Sequence, residues 1–135
     1  MKFVSYLKNN YERLGLFYNK NIYDLKNCAD RLKLKLPDNM LEFLWGGERT
    51  IELSRKVDEQ IKSGNVEPSF NSNEVNLIAP VPQPTSCRDA YAFRQHVATA
   101  RRNRGVDMIP EFDQFPVFYF TNHNAIYGEG TIEVE

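Results

Sequence analysis

The stretch "PVPQPTSCRDAYAFRQHVATARRNRG", residues 80–105, decides the reading of this chain, because a proline-rich segment gives way there to a helical run carrying one of only two histidines. Pro80, Pro82 and Pro84 bias the backbone to an extended form and remove amide donors, so this segment cannot be a central strand. The residues after it predict a helix over about 90–104. If that helix reaches back to Asp89, then Asp89, Phe93, His96 and Ala100 share one face, since seven residues are close to two turns. A carboxylate and an imidazole two turns apart are too far for a direct pair. The spacing suits a carboxylate holding a metal with a histidine acting on water or substrate beside it. Plainer readings compete: Asp89 as a helix N-cap and His96 as an interior histidine with its hydrogen bonds met.

Upstream, the chain reads as a small α+β unit. "KFVSYL", "RLGLFY" and "NIYDL" are short segments rich in aromatic and branched residues, and Asn19, Lys20 and Asn21 between the last two predict a hairpin turn. From Asp24, an N-cap candidate, Leu25, Cys28, Ala29 and Leu32 fall on one helical face. Pro37 and Asp38 open a short helix closed by Gly46 and Gly47, and Leu53, Val57 and Ile61 mark the next, which stops at Gly64. Residues 64–86 are dominated by Asn, Ser and Pro and read as a boundary. Two domains follow, residues 1–70 and 71–135.

The 135 residues carry 17 Lys and Arg against 18 Asp and Glu, a net charge of -1, which gives no global attraction to nucleic acid or anionic lipid. Arg88, Arg94, Arg101, Arg102 and Arg104, with Tyr91 and Phe93 for stacking, form a rival phosphate-binding candidate. Their helical spacing scatters them, and the last three suit the helix dipole, so no nucleic-acid partner is expected. Cys28 and Cys87 stand far apart with no C-x-x-C, the pattern of free thiols. The longest apolar runs fall well short of the ~20 residues of a membrane span, and the N-terminus is interrupted by polar residues too early for a signal peptide. The expectation is a cytoplasmic protein with no membrane partner.

Downstream, "FPVFYF", "NAIYG" and "TIEVE" are strand candidates separated by Asn and Gly turns. His123 sits in a turn composition and reads as a solvated loop residue. Glu133 and Glu135 spell E-x-E, which in a strand puts two carboxylates on one face; a half-exposed strand shows the same alternation and is preferred. An unpaired strand at the end of the chain suggests the front part of a longer protein, cut within its second domain.

The run from Pro80 to Gly105, followed by "MIPEFDQFPVFYFTNHNAIYGEG", resembles the start of the catalytic domain in the fumarylacetoacetate hydrolase family, and the residues before it resemble the small domain that precedes it there. The resemblance implies an α+β protein: a small N-terminal α+β domain, then the beginning of a mixed β-roll. It implies a metal-dependent hydrolase that cleaves a carbon–carbon bond in a fumarylacetoacetate-like or acylpyruvate-like diketo acid, homodimeric at full length, with residues 1–135 alone inactive. Asp89 matches a metal-binding carboxylate for a divalent cation, Mg2+ before Ca2+ or Mn2+. His96 matches the histidine that activates water. Tyr91 and Tyr119 match pocket-lining aromatics, and Arg104 matches an arginine that grips a substrate carboxylate. If Asp89 and Tyr91 both face the pocket, the helix must begin after them. The family's E-x-E metal pair lies further along, so Glu133 and Glu135 are not assigned to it. The alternatives are an isomerase or decarboxylase on the same fold, or a non-catalytic protein-interaction module.

Overall fold

Two tight turns near the N-terminus set the architecture. In a computed structural model that describes residues 1–131, strands β1 (Phe3–Lys8) and β2 (Tyr11–Tyr18) are joined by Asn9 and Asn10, with φ of 52° and 64°. β2 and β3 (Asn21–Asp24) are joined by Asn19 and Lys20, with φ of 48° and 63°. Two-residue loops with both φ values positive are the turns whose twist matches an antiparallel hairpin, and asparagine enters that region at low cost. They fix the register: Lys8 opposite Tyr11, and Tyr18 opposite Asn21.

Asp24 ends β3 and caps α1 (Leu25–Arg31), its carboxylate accepting the Asn27 amide at 2.9 Å. Asn39, one residue beyond the Pro37–Asp38 pair, caps α2 (Met40–Trp45) by accepting from the Glu42 amide at 2.9 Å. α3 (Gly47–Lys62) follows at once and lays Thr50, Ser54, Val57 and Ile61 on its buried side. Two of these are polar, yet neither is left unsatisfied. The Thr50 hydroxyl bonds the Phe43 carbonyl at 2.7 Å and Ser54 bonds the Thr50 carbonyl at 2.6 Å. Leu14, Leu16 and Tyr23 from the sheet meet Leu25, Cys28, Met40, Phe43, Val57 and Ile61 in one apolar core. Burial pushes the Cys28 thiol up to about 11, which keeps it protonated and inert.

The segment expected as a linker instead supplies both edges of the sheet. β4 (Phe70–Asn71) pairs with β3, and β5 (Asn76–Leu77) pairs with β1, giving the antiparallel order β4-β3-β2-β1-β5. Two-residue strands carry no alternation, so nothing in the pattern marks them. The edge strands of a flat five-stranded sheet stand about 19 Å apart, four strand spacings. Asn71 and Asn76 are joined through a 3-10 turn at Ser72–Glu74, which advances only about 2 Å per residue. The sheet must therefore curl. At Gly15, in β2, the neighbouring strands leave no room for a side chain: a Cβ there would sit 2.8 Å from Ile22 Cγ2 and 3.1 Å from the Tyr23 carbonyl oxygen. Inside the curl, the Tyr6 ring meets Phe70 edge-on at 5.9 Å.

A buried ion pair locks this arrangement. Arg13 grips Asp24 with two hydrogen bonds, Nε to Oδ2 at 2.9 Å and Nη2 to Oδ1 at 2.8 Å, and reaches Asp38 at 3.3 Å. The Tyr6 hydroxyl donates to Asp24 Oδ2 at 2.6 Å. Burial pushes the Asp24 carboxyl up, but the bonds from Arg13, Tyr6 and the Asn27 amide outweigh it and hold the group below its ordinary value. Burial, with the hydrogen bond to Asp24, raises the Tyr6 phenol.

The protein is thus a small α+β protein with, among the described residues, a curled antiparallel sheet and four α-helices. It divides into two units: residues 1–83 with the described residues from Ile126 onward, and Pro84–Ala125. The first unit runs through Gln83, and β4 and β5 belong to its sheet. Gly128 crosses Ile78 so closely that a Cβ would lie 2.7 Å from the Ile78 Cα. The second unit holds β6 (Cys87–Ala90), α4 (Arg94–Asn103), a 3-10 turn at Pro110–Asp113 and β7 (Phe118–Thr121). "NAIYG" is irregular, not a strand, and residues 132–135 of "TIEVE", with Glu133 and Glu135, lie outside the described residues. No helix among the described residues is long and apolar enough to cross a membrane.

Candidate functional site

The singled-out side chains of the second unit start from a two-stranded ribbon. β6 and β7 are antiparallel, with Asp89 directly opposite Tyr119, Arg88 opposite Phe120 and Ala90 opposite Phe118. Directly opposed residues share a face, so Asp89 and Tyr119 project together while Arg88, Phe118 and Phe120 occupy the other side. The Tyr119 hydroxyl donates a short hydrogen bond to Asp89 Oδ2. That bond, and the negative charge behind it, raise the Tyr119 phenol above its ordinary value.

Asp89 is therefore a strand residue, neither an N-cap nor part of a helix face. The expected face of Asp89, Phe93, His96 and Ala100 does not form, because the chain stays extended through Ala90 and the Tyr91 amide bonds the Val117 carbonyl at 3.0 Å. Phe93 is the N-cap of α4, so the helix begins after both Asp89 and Tyr91. The spacing argument failed because a helix period was read across a strand-to-helix junction that carries no Gly or Pro.

His96 lies in the first turn of α4 and is exposed. That turn is anchored by Arg94, whose Nε and Nη2 bond the Asp113 carboxylate at 2.8 and 3.1 Å. The paired bonds raise the Arg94 guanidinium and hold the Asp113 carboxyl below its usual range. Arg104 caps the C-terminus of α4, its amide bonding the Arg101 carbonyl at 3.0 Å, and its side chain is exposed. The structure thus joins Asp89 to Tyr119 directly, sets Tyr91 one step beyond on the same chain, and places His96 and Arg104 at opposite ends of one helix.

Asp89 is the ribbon's acid group, and no group of three His, Cys, Asp or Glu side chains among the described residues could hold a metal ion. These residues by themselves do not make a complete cation site. The Tyr6–Arg13–Asp24 cluster of the first unit went unread in the sequence. The turn positions could have found it, since they set Tyr6 opposite Arg13 and Asp24 opposite Gly15. No family model matches the chain, and no curated protein sequence matches it.

Proposed function

We propose that the chain is the N-terminal domain and the first part of the catalytic domain of a fumarylacetoacetate-hydrolase-type enzyme, which cleaves a carbon–carbon bond in a fumarylacetoacetate-like or acylpyruvate-like diketo acid. The observation that carries this reading is the Asp89–Tyr119 pair on one ribbon face, with α4 starting only after Tyr91. That order lets a carboxylate and two tyrosines serve one pocket wall while the histidine follows on a helix.

In this reading His96 takes a proton from water, and the resulting hydroxide adds to the substrate carbonyl next to the scissile bond. The bond then breaks, its electron pair leaves on the departing fragment as an enolate, and a proton returns to that carbon. Arg104 holds the substrate carboxylate through paired N–H donors, and Tyr91 and Tyr119 line the pocket. Asp89 is one ligand of a divalent hard cation, Mg2+ in preference to Ca2+ or Mn2+. No step of the reaction is built on that cation, because the described residues do not complete its site. The mature enzyme in this reading is a mixed β-roll and a homodimer.

The test is made on the full polypeptide with an acylpyruvate substrate followed by ultraviolet absorbance. His96→Ala is expected to abolish turnover while Mn2+ binding by calorimetry is unchanged, and Asp89→Asn to weaken Mn2+ binding at least tenfold. Normal turnover in the His96 variant overturns the assignment. A second reading, a non-catalytic interaction module, is favoured by the exposure of Phe118, Tyr119 and Phe120 at 48%, 53% and 67%. It requires full solution association without any metal dependence, which sedimentation with and without chelator decides.

A further inference from the structure

We propose that the open end of the curled sheet in the first unit binds a small aromatic carboxylate. A cavity of about 370 Å3 lies there, at the lower end of the range typical of ligand pockets, ~300–1,000 Å3. Its wall includes Lys8, Tyr11, Arg13, Asn27 and Phe70, contributed by β1, β2, α1 and β4. The hairpin turn at Asn9–Asn10 brings Lys8 and Tyr11 face to face at its rim.

Charge sets the sign of the ligand. Asp24 also lines the cavity, and Arg13 is held between it and Asp38, one cation between two carboxylates. Lys8 forms no ion pair among the described residues, so it is the one lining charge left uncompensated. A guanidinium carries five N–H donors; Arg13 uses three on Asp24 and Asp38, which leaves two for a ligand. The nearby carboxylates of Asp24 and Asp38 count against a dianion, so a singly charged group fits best.

Preorganisation and shape set the rest. Arg13 is held by its partners before any ligand arrives, and the Lys8 ammonium is seated 4.2 Å over the Phe70 ring instead of extending into solvent. Tyr11 leaves 75% of its surface exposed beside Lys8. A carboxylate between Lys8 and Arg13, with its own ring against Tyr11, uses all three features at once. None of these residues belongs to the ribbon, so the inference stands apart from the proposed hydrolase.

The experiment is a titration of the 135-residue chain with benzoate, followed by amide nitrogen–proton spectra, alongside acetate, benzyl alcohol and inorganic phosphate. Benzoate is expected to give saturable shifts at Lys8, Tyr11, Asn27 and Phe70, with acetate and benzyl alcohol each at least tenfold weaker. Lys8→Gln and Tyr11→Ser should each weaken benzoate at least tenfold while the far-ultraviolet dichroism stays unchanged, and Asp89→Asn should have no effect. The proposal is overturned by an absence of saturable shifts, by unaltered benzoate binding in Lys8→Gln, or by acetate or phosphate matching benzoate, which would mark an adventitious ion only.

Discussion

The two units are built on opposite terms. The first buries Tyr6, Leu14, Leu16, Ile22, Leu25 and Val57 almost completely, and closes its polar groups in pairs. The second buries Val97 alone among its large apolar side chains and leaves Phe93, Phe115, Phe118, Tyr119 and Phe120 about half exposed or more. The residues of the proposed hydrolase site lie in the unit with almost no core of its own, where the geometry is held by ladder hydrogen bonds and the Arg94–Asp113 pair more than by packing. A packed unit and a ladder-held one need not be stabilised by the same forces.

The sharpest way to break the comparison is to remove the charge that locks the first unit. Arg13→Met leaves the Asp24 carboxylate, 3% exposed, without its cation, and truncating one partner of such a pair costs about 3–5 kcal/mol. The urea midpoint of the first unit should fall accordingly. The folded carboxyl of Asp24 titrates below its unfolded value of about 3.9, so its contribution is full above that pH and is lost as the pH falls through the folded value. In Arg13→Met this acid loss should shrink. An unchanged midpoint and an unchanged acid profile would show that the pair is decorative.

A smaller effect tests the close packing of the first sheet. Gly15→Ala forces a methyl against Ile22 and, less yieldingly, the Tyr23 carbonyl, and overpacking of this kind costs about 1–3 kcal/mol. A neutral Gly15→Ala variant, by urea or thermal unfolding, would mean that Ile22 and the Tyr23 carbonyl give way to a methyl at no cost.

Much of the first unit was legible because its signals are local. Asn-rich turns fix hairpins, Asp24 and Gly64 mark helix ends, and the Leu53–Val57–Ile61 spacing marks α3. β4 and β5 were not legible, because two residues cannot show alternation and their role comes from the tertiary closure of the sheet. Thr50 and Ser54 escaped for a related reason: a polar residue on a buried face declares itself only through its carbonyl partners. In the second unit only the second half of "FPVFYF" is strand, from Phe118, and the cross-strand meeting of Asp89 with Tyr119, thirty positions away, depends on a register that no turn residue sets.

The smallest expected effect makes the strongest claim about the ribbon. Phe120 is 67% exposed, with the Arg88 guanidinium 5.2 Å from its ring and the Phe118 ring 5.7 Å away. Phe120→Ala removes an exposed cation–π contact and little burial, so its cost should stay at about 1 kcal/mol or less. Because most of the ring already meets water, its deletion leaves no cavity, and hydrogen exchange at β6 and β7 should change little. A loss of several times that size would mean that the aromatic face is a core in its own right. The contrast between a packed scaffold and a surface held by its ladder would then fail at the residue where it is most plainly drawn.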